Sequence, residues 1–307
     1  MKDDKWSVEQ IESLDDKVLV VTGGNSGIGY EAVRIFALKG ARVIMACRSM
    51  DRANKARLKI QEENPLANID IIKLDLSDLE SIHDFADKFK KKFNRLDVLL
   101  NNAGIMLVPY GKTEDGFEKQ MGVNHLGHFA LTALLFDRLK ATNNSRVINI
   151  SSTAHKRAEM DFDNFMFENG AYSPWKSYAR SKLANLLFTY ELQRRIEDNN
   201  LNMKSLAAHP GMSNTNLNRK FENNFFYKLF GWFFEMIGQS PRAGSLPTIR
   251  AATDTQAEGG EYYGPSGLFE IKGRPVVVES SPASHDLEDA ERLWEISEEL
   301  TDVKFKI

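Results

Sequence analysis

The segment Ser177-Tyr178-Ala179-Arg180-Ser181-Lys182-Leu183-Ala184-Asn185 sets a phenol and an ammonium four residues apart in a stretch that reads as helix. Side chains at i and i+4 of a helix leave from one face. A phenol titrates near ~10 and is a poor acid or base at neutral pH unless a nearby cation favours the phenolate. Lys182 can supply that cation, which would make Tyr178 a usable proton donor or acceptor. Tyr and Lys at this spacing are also ordinary surface neighbours, so the pair needs support from the elements around it.

That support starts at Lys17 to Thr22 (KVLVVT), an apolar, β-branched run that breaks into Thr22-Gly23-Gly24-Asn25-Ser26-Gly27-Ile28-Gly29. From Ile28 to Leu38 apolar residues return at helical spacing, so the pattern is strand, turn, helix. Glycines suit a backbone that bends tightly and comes close to a pyrophosphate, and free N–H groups at the start of the helix face the anion. The spacing differs from the common G-x-G-x-x-G fingerprint. Gly23, Asn25, Ser26, Gly27, Ile28 and Gly29 are the residues expected to hold a dinucleotide.

The second strand, Arg42 to Ala46, ends at Cys47-Arg48-Ser49. An acidic residue about 20 positions after the glycines takes the ribose 2′-hydroxyl of NAD, whereas an arginine accommodates the 2′-phosphate of NADP. Arg48 points to NADP, and Asp51 close by keeps NAD open. A third strand, Ile69 to Leu74, leads into Asp75-Leu76-Ser77-Asp78, which can cap the next helix. A fourth, Leu96 to Leu100, runs into Asn101-Asn102-Ala103-Gly104, where small residues let backbone pass close beside a flat ligand. A long helical stretch follows, containing Gly122-Val123-Asn124-His125-Leu126-Gly127-His128. Its two histidines invite a metal reading, but no third ligand and no H-E-x-x-H spacing accompany them, and no metal is expected.

The fifth strand, Arg146 to Ile150, ends in Ser151-Ser152, and the sixth, Leu201 to Ala208, stops at His209-Pro210-Gly211 on the way to Thr215. Strand and helix alternating in this way predict a parallel sheet with helices on both faces. Ligands of such sheets sit at the carboxyl ends of the strands, where each of these motifs falls.

Taken together, Thr22-Gly23-x-x-x-Gly27-x-Gly29, Asn101-Asn102-Ala103-Gly104, Asn124, Ser152 and Tyr178-x-x-x-Lys182 resemble the short-chain dehydrogenase/reductase family, over about residues 16 to 280. Ala46-Cys47-Arg48 and the whole Tyr178 to Asn185 segment are similar to its branch of retinol dehydrogenases and protochlorophyllide reductases. A long gap between serine and tyrosine, here 26 positions, fits the same branch. The resemblance implies an α/β fold: a Rossmann-type, doubly wound parallel sheet of about seven strands in three layers, with Gly273 to Glu279 as the last strand. It implies that Tyr178 is the general acid or base and that Ser152, rather than Ser151, hydrogen-bonds the substrate oxygen. Lys182 would lower the phenol's pKa and hold the nicotinamide ribose, and Asn124 would keep a proton-relay water in place. Asp75, Leu76, Asn102, Pro210, Gly211 and Thr215 carry over as coenzyme contacts beside the glycines, Ala103 and Gly104.

The composition agrees with one large domain. The chain has 307 residues, 42% of them apolar, which is enough for a sizeable core. With 40 basic against 43 acidic residues it carries no broad electrostatic footprint for nucleic acid. Its lone cysteine, Cys47, excludes an internal disulfide and suits a reducing compartment. The acidic N-terminus lacks the apolar run of a secretory signal, and no stretch approaches the ~20 apolar residues that span a bilayer, so a cytoplasmic location is expected. Residues 1–14 read as an extension and 15–307 as a single domain with a lid over about 212–245.

Within that lid, Asn224 to Gly238 (NFFYKLFGWFFEMIG) is the most aromatic stretch, with one narrow polar stripe if helical. It fits a lid that makes the substrate pocket apolar, a piece of the core, or a membrane-surface contact. Residues from about 285 to 301 read as an amphipathic helix that docks on the domain or meets a second subunit in a homodimer. Gly259 to Pro265 reads as a loop near the pocket mouth. The function expected is NADP(H)-dependent oxidoreduction of a small-molecule carbonyl or alcohol, most consistent with an apolar substrate. The alternative is a dinucleotide-binding or sensing protein of the same fold without catalysis.

Overall fold

Both faces of a parallel strand inside a layered sheet are covered, so its residues are apolar in succession rather than in alternation. The first strand, β1 (Val18–Thr22), shows this with all five residues buried. The computed structural model describes residues 6–212 and 239–307. Its strands continue with β2 (Arg42–Cys47), β3 (Ile69–Lys73), β4 (Val98–Asn101), β5 (Ser145–Ile150), β6 (Met203–Ala208), β7 (Tyr262–Pro265) and β8 (Pro275–Val277). Between them run the helices α1 (Gly27–Leu38), α2 (Met50–Glu63), α3 (Leu79–Lys92), α4 (Lys119–Met121), α5 (Gly127–Lys140), α6 (Pro174–Asp198) and α7 (Pro241–Thr253), and α8 (Leu287–Thr301) follows β8.

These strands form one sheet in the order β3-β2-β1-β4-β5-β6-β7-β8. The first seven in chain order are parallel, and β8 pairs antiparallel with β7. Chain order reverses at β1, which lies between β2 and β4. Loops that leave adjacent strands in opposite directions open a crevice at such a point. One face of the sheet is packed by Val33 and Phe36 of α1, Ala53 and Ile60 of α2 and Ile249 of α7. The other is packed by Phe85 and Phe89 of α3, Phe129 and Phe136 of α5, and Phe188 of α6. Outside α5 and α6 lies α8, whose Trp294 joins that second layer.

The described part of the N-terminal extension is packed on the domain: Trp6 and Ile11 are buried in the α1 layer, and Lys39 Nζ donates to Ile11 O at 2.8 Å. Around the expected lid, Gln239 N donates to Met212 O at 2.8 Å, so these two described residues meet. Ser240 then caps α7. The aromatic stretch 224–238 and Thr215 lie outside the described residues.

Two expectations about elements need correction. Gly259 to Pro265 is not only a loop, because Tyr262–Pro265 forms β7 against β6. Gly and Pro make the segment read as a turn, but Tyr262 and Tyr263 are almost fully buried beside β6, and packing decides the state of a short strand. Gly264 is needed there: a Cβ on it would fall 2.1 Å from His209 Nε2. The strand expected at Gly273 to Glu279 is therefore the eighth, short and antiparallel. The second correction concerns the long helix after β4. It is interrupted by a π turn over Gly122–Leu126, where Gly127 N–H reaches back five residues to Gly122 O.

Candidate active site

The carboxyl end of β1 and the start of α1 form the first wall. Gly23 and Gly27 have φ of +68° and +57°, which glycine adopts without strain. A Cβ on Gly29 would lie 2.5 Å from Asn102 Nδ2 and 2.6 Å from Gly23 O, so only glycine lets α1 pack this closely. Ser26, the N-cap residue, makes no side-chain capping bond, and the first turn of α1 carries no acid. Its N–H groups and dipole are thus available to an anion. Asn25, Ser26 and Ile28 belong to the same turn. This cradle fits a dinucleotide pyrophosphate.

The floor is tied to the wall through Thr22. Its Oγ1 accepts the N–H groups of Asn102 and Ala103, both at 2.9 Å, while Asn102 Nδ2 donates to Thr22 O at 2.8 Å. Gly104 continues the floor, and a Cβ there would stand 3.1 Å from Asn124 Oδ1 and 3.6 Å from Lys182 Nζ. Arg48 follows β2 at the same edge, with its side chain two-thirds exposed and Nε 3.8 Å from Asp75 Oδ2. Asp75 closes a turn by accepting from Ser77 N and Oγ, and Asp78 is the residue that caps α3. Leu76 is buried against Gly127. Asp51 sits in the first turn of α2.

The second wall holds the proposed catalytic groups. Tyr178 and Lys182 lie on α6, one turn apart, with Nζ 5.8 Å from the centre of the phenol ring. Ile150 O, at the end of β5, accepts from both Lys182 Nζ and Asn185 Nδ2 at 3.0 Å. Ser151 donates its hydroxyl to Lys182 O at 2.8 Å, whereas the Ser152 hydroxyl lies beside the Tyr178 phenol and caps the following turn by accepting from Ala154 N. Of the two serines, only Ser152 has its hydroxyl at the phenol. Asn124, in the π turn, accepts from Ile105 N at 2.8 Å and donates to Ile105 O and to Ser181 Oγ. Pro210 and Gly211 follow β6, and Gly211 N donates to His209 Nδ1 at 3.2 Å.

Electrostatically the pair differs from the simple expectation. Burial raises the pKa of Tyr178, with the Ser152 hydroxyl pulling the other way. Burial lowers Lys182 to about 8. In the protein alone, desolvation is the largest influence on both groups.

Several contributors carried no sequence signal. Glu118, completely buried, accepts from Gln120 N, Met121 N and the Ser177 hydroxyl, joining the start of the Asn124 segment to the residue before Tyr178. Asn101 and Asn149 bridge the strands below the site and reach Thr132 and Thr189. Their partners lie 31 to 48 residues away, beyond any local pattern. His125 and His128 turn to different partners, Ser297 and Thr22. Among the described residues no three His, Cys, Asp or Glu are grouped to hold a metal, and no helix is long and apolar enough to cross a membrane.

Residues 17–224 match the family model for short chain dehydrogenases. Retinol dehydrogenase 13 of Homo sapiens is 38% identical over 287 residues, covering 92% of this chain and 83% of its own length. For retinol dehydrogenase 12 of Homo sapiens the values are 39% over 293 residues, 95% and 89%. A crystal structure of a protein from Mycobacterium Paratuberculosis superposes with a TM-score of 0.80 at 37% identity, over 98% of this chain and 99% of that one. A short chain dehydrogenase from Shigella flexneri, complexed with NADP, shares the fold at a TM-score of 0.63 and 22% identity, over 82% and 98% of the two chains. Motifs, sheet order and relatives agree: the chain belongs to the short-chain dehydrogenase family, in its retinol dehydrogenase-like branch, and is an oxidoreductase acting on an alcohol or carbonyl group.

Proposed function

We propose that this oxidoreductase uses NADP(H), with Tyr178 as its general acid and base, on an apolar carbonyl or alcohol. The observation that carries the reading is the meeting of Ser152, Tyr178, Lys182 and Asn124 at the floor beside the glycine turn. Nicotinamide, when bound, supplies or takes up the hydride at carbon. In reduction Tyr178 passes its phenolic proton to the substrate oxygen, and in oxidation it accepts the alcohol proton. Ser152 holds that oxygen by donating its hydroxyl. Lys182 orients the ribose and, when charged, favours the phenolate. Asn124, braced by Ile105 and Ser181, holds a relay water.

The preference for NADP rests on Arg48, exposed at the end of β2 where a 2′-phosphate would lie. An apolar substrate is supported by the retinol dehydrogenase relatives and by the aromatic stretch 224–238. The test follows NADPH absorbance across a panel of aldehydes and ketones that includes retinal. Tyr178→Phe should abolish turnover and leave NADPH affinity unchanged; retained turnover would remove the tyrosine from the mechanism. Arg48→Ala should weaken NADPH binding at least about tenfold and leave NADH binding in place, as the loss of a phosphate contact does. Coenzyme binding without turnover of any member of the panel would favour a sensing role instead.

A further inference from the structure

The imidazole of His128 is 2% exposed and stands between Thr22, at the end of β1, and the backbone of the Asn124 turn. Its Nδ1 lies 3.0 Å from Asn124 O. A carbonyl only accepts, so Nδ1 carries the proton. Burial lowers the imidazole to about 4, and the ring is neutral near pH 7. Nε2 is then a lone pair facing Thr22 Oγ1 at 2.9 Å, and the threonine hydroxyl donates to it in preference to Leu100 O, which stands farther off at 3.4 Å. With its hydrogen committed there, Thr22 Oγ1 has its lone pairs free for the N–H groups of Asn102 and Ala103. The direction of every bond in this chain is thus set by the one carbonyl at its end. The neighbouring His125 shows that this is not a general property of the segment. Ser297 donates its own hydroxyl to Leu293 O, so His125 must carry its proton on Nε2 to reach Ser297 Oγ.

We infer that His128 is a positioning residue which, held as the Nδ1–H tautomer, ties the coenzyme floor at Thr22, Asn102 and Ala103 to the backbone of Asn124. The inference rests on the proposed reading that the floor binds NADPH and that Asn124 serves turnover. One end of the imidazole sets the floor, and the other sets the π turn from which the Asn124 side chain reaches Ile105 and Ser181.

The two ends can be separated by substitution. Glutamine places a polar group near the Nε2 position and asparagine near Nδ1, so His128→Gln keeps an acceptor for Thr22 and His128→Asn keeps a donor for Asn124 O. Titration with NADPH and steady-state reduction of decanal by the full chain read the two ends independently. His128→Gln should hold the NADPH Kd close to that of the unsubstituted protein and lower kcat about tenfold; His128→Asn should raise that Kd about tenfold and hold kcat, each the effect of one buried hydrogen bond. Equal shifts of both constants in both variants, or no shift in either, would overturn the inference, since a merely structural histidine gives no such split. Imidazole ¹⁵N spectra of the unsubstituted protein need neither coenzyme nor substrate: an Nδ1–H signal for His128 supports the tie and an Nε2–H signal overturns it. A protein that binds no NADPH or reduces no decanal would count against the proposed function, and the spectra would still decide the bond pattern.

Discussion

An ammonium as buried as that of Lys182, 5% exposed with Ile150 O as its bonded acceptor, sits in a place that favours its neutral form. Its pKa falls from the ordinary 10.5 to about 8. Between those two values the unfolded chain binds the proton and the folded chain does not, so stability rises with pH across that window and is flat below it. Lys182→Met removes the charge and keeps the stem. It should abolish turnover and yet stabilise the fold by about 1–3 kcal/mol at pH 7, with the rise above pH 8 gone. Urea unfolding at pH 7 and pH 10 checks both effects; a less stable variant at pH 7 would show that the Ile150 bond outweighs desolvation. At this scale the sequence was informative about identity and silent about environment. The spacing of Tyr178 and Lys182 put them on one face, as found, but the burial that raises the phenol depends on residues far away in the chain.

The elements that bring these groups together are fastened by a carboxylate. Glu118 accepts two backbone N–H groups at the start of α4 and the Ser177 hydroxyl at the start of α6. Glu118→Gln loses one acceptor oxygen and turns an amide toward donors. It should cost roughly 2–4 kcal/mol in denaturant unfolding and lower kcat more than it changes NADPH affinity. An unchanged kcat in a folded variant would separate this clasp from the site. Strands β1 to β6 were legible within two residues at every end, because buried parallel strands are written as continuous apolar runs. β7 was hidden by its glycine and proline. The π turn was hidden too, since its defining bonds and the His128 contact to Thr22, 106 positions back, have no local periodicity.

For the whole molecule, the C-terminal segment completes the layer outside the sheet. The ring of Trp294 on α8 lies 5.3 Å from Phe129, 5.8 Å from Phe188 and 4.5 Å from Phe305, with the Arg195 guanidinium 4.2 Å away over its face. The amphipathic pattern placed a helix at about 285–301, and the structure docks it within the chain against α6. Trp294→Ala would open a cavity bordering the helix of Tyr178 and should cost about 3–5 kcal/mol, read as a lower midpoint in guanidinium unfolding. A cost below about 1 kcal/mol would mean that the aromatic cluster collapses around the gap.

The placement of β1 between β2 and β4 also has a consequence during synthesis. Val20 pairs with Leu99, and the Thr22 hydroxyl takes its backbone donors from Asn102 and Ala103, some 80 positions later. A nascent chain that has released only its first three strands therefore exposes its glycine turn with no floor beneath it. If the glycine turn and this floor hold the coenzyme as proposed, it can begin to stabilise the protein only once the ribosome has delivered the fourth strand.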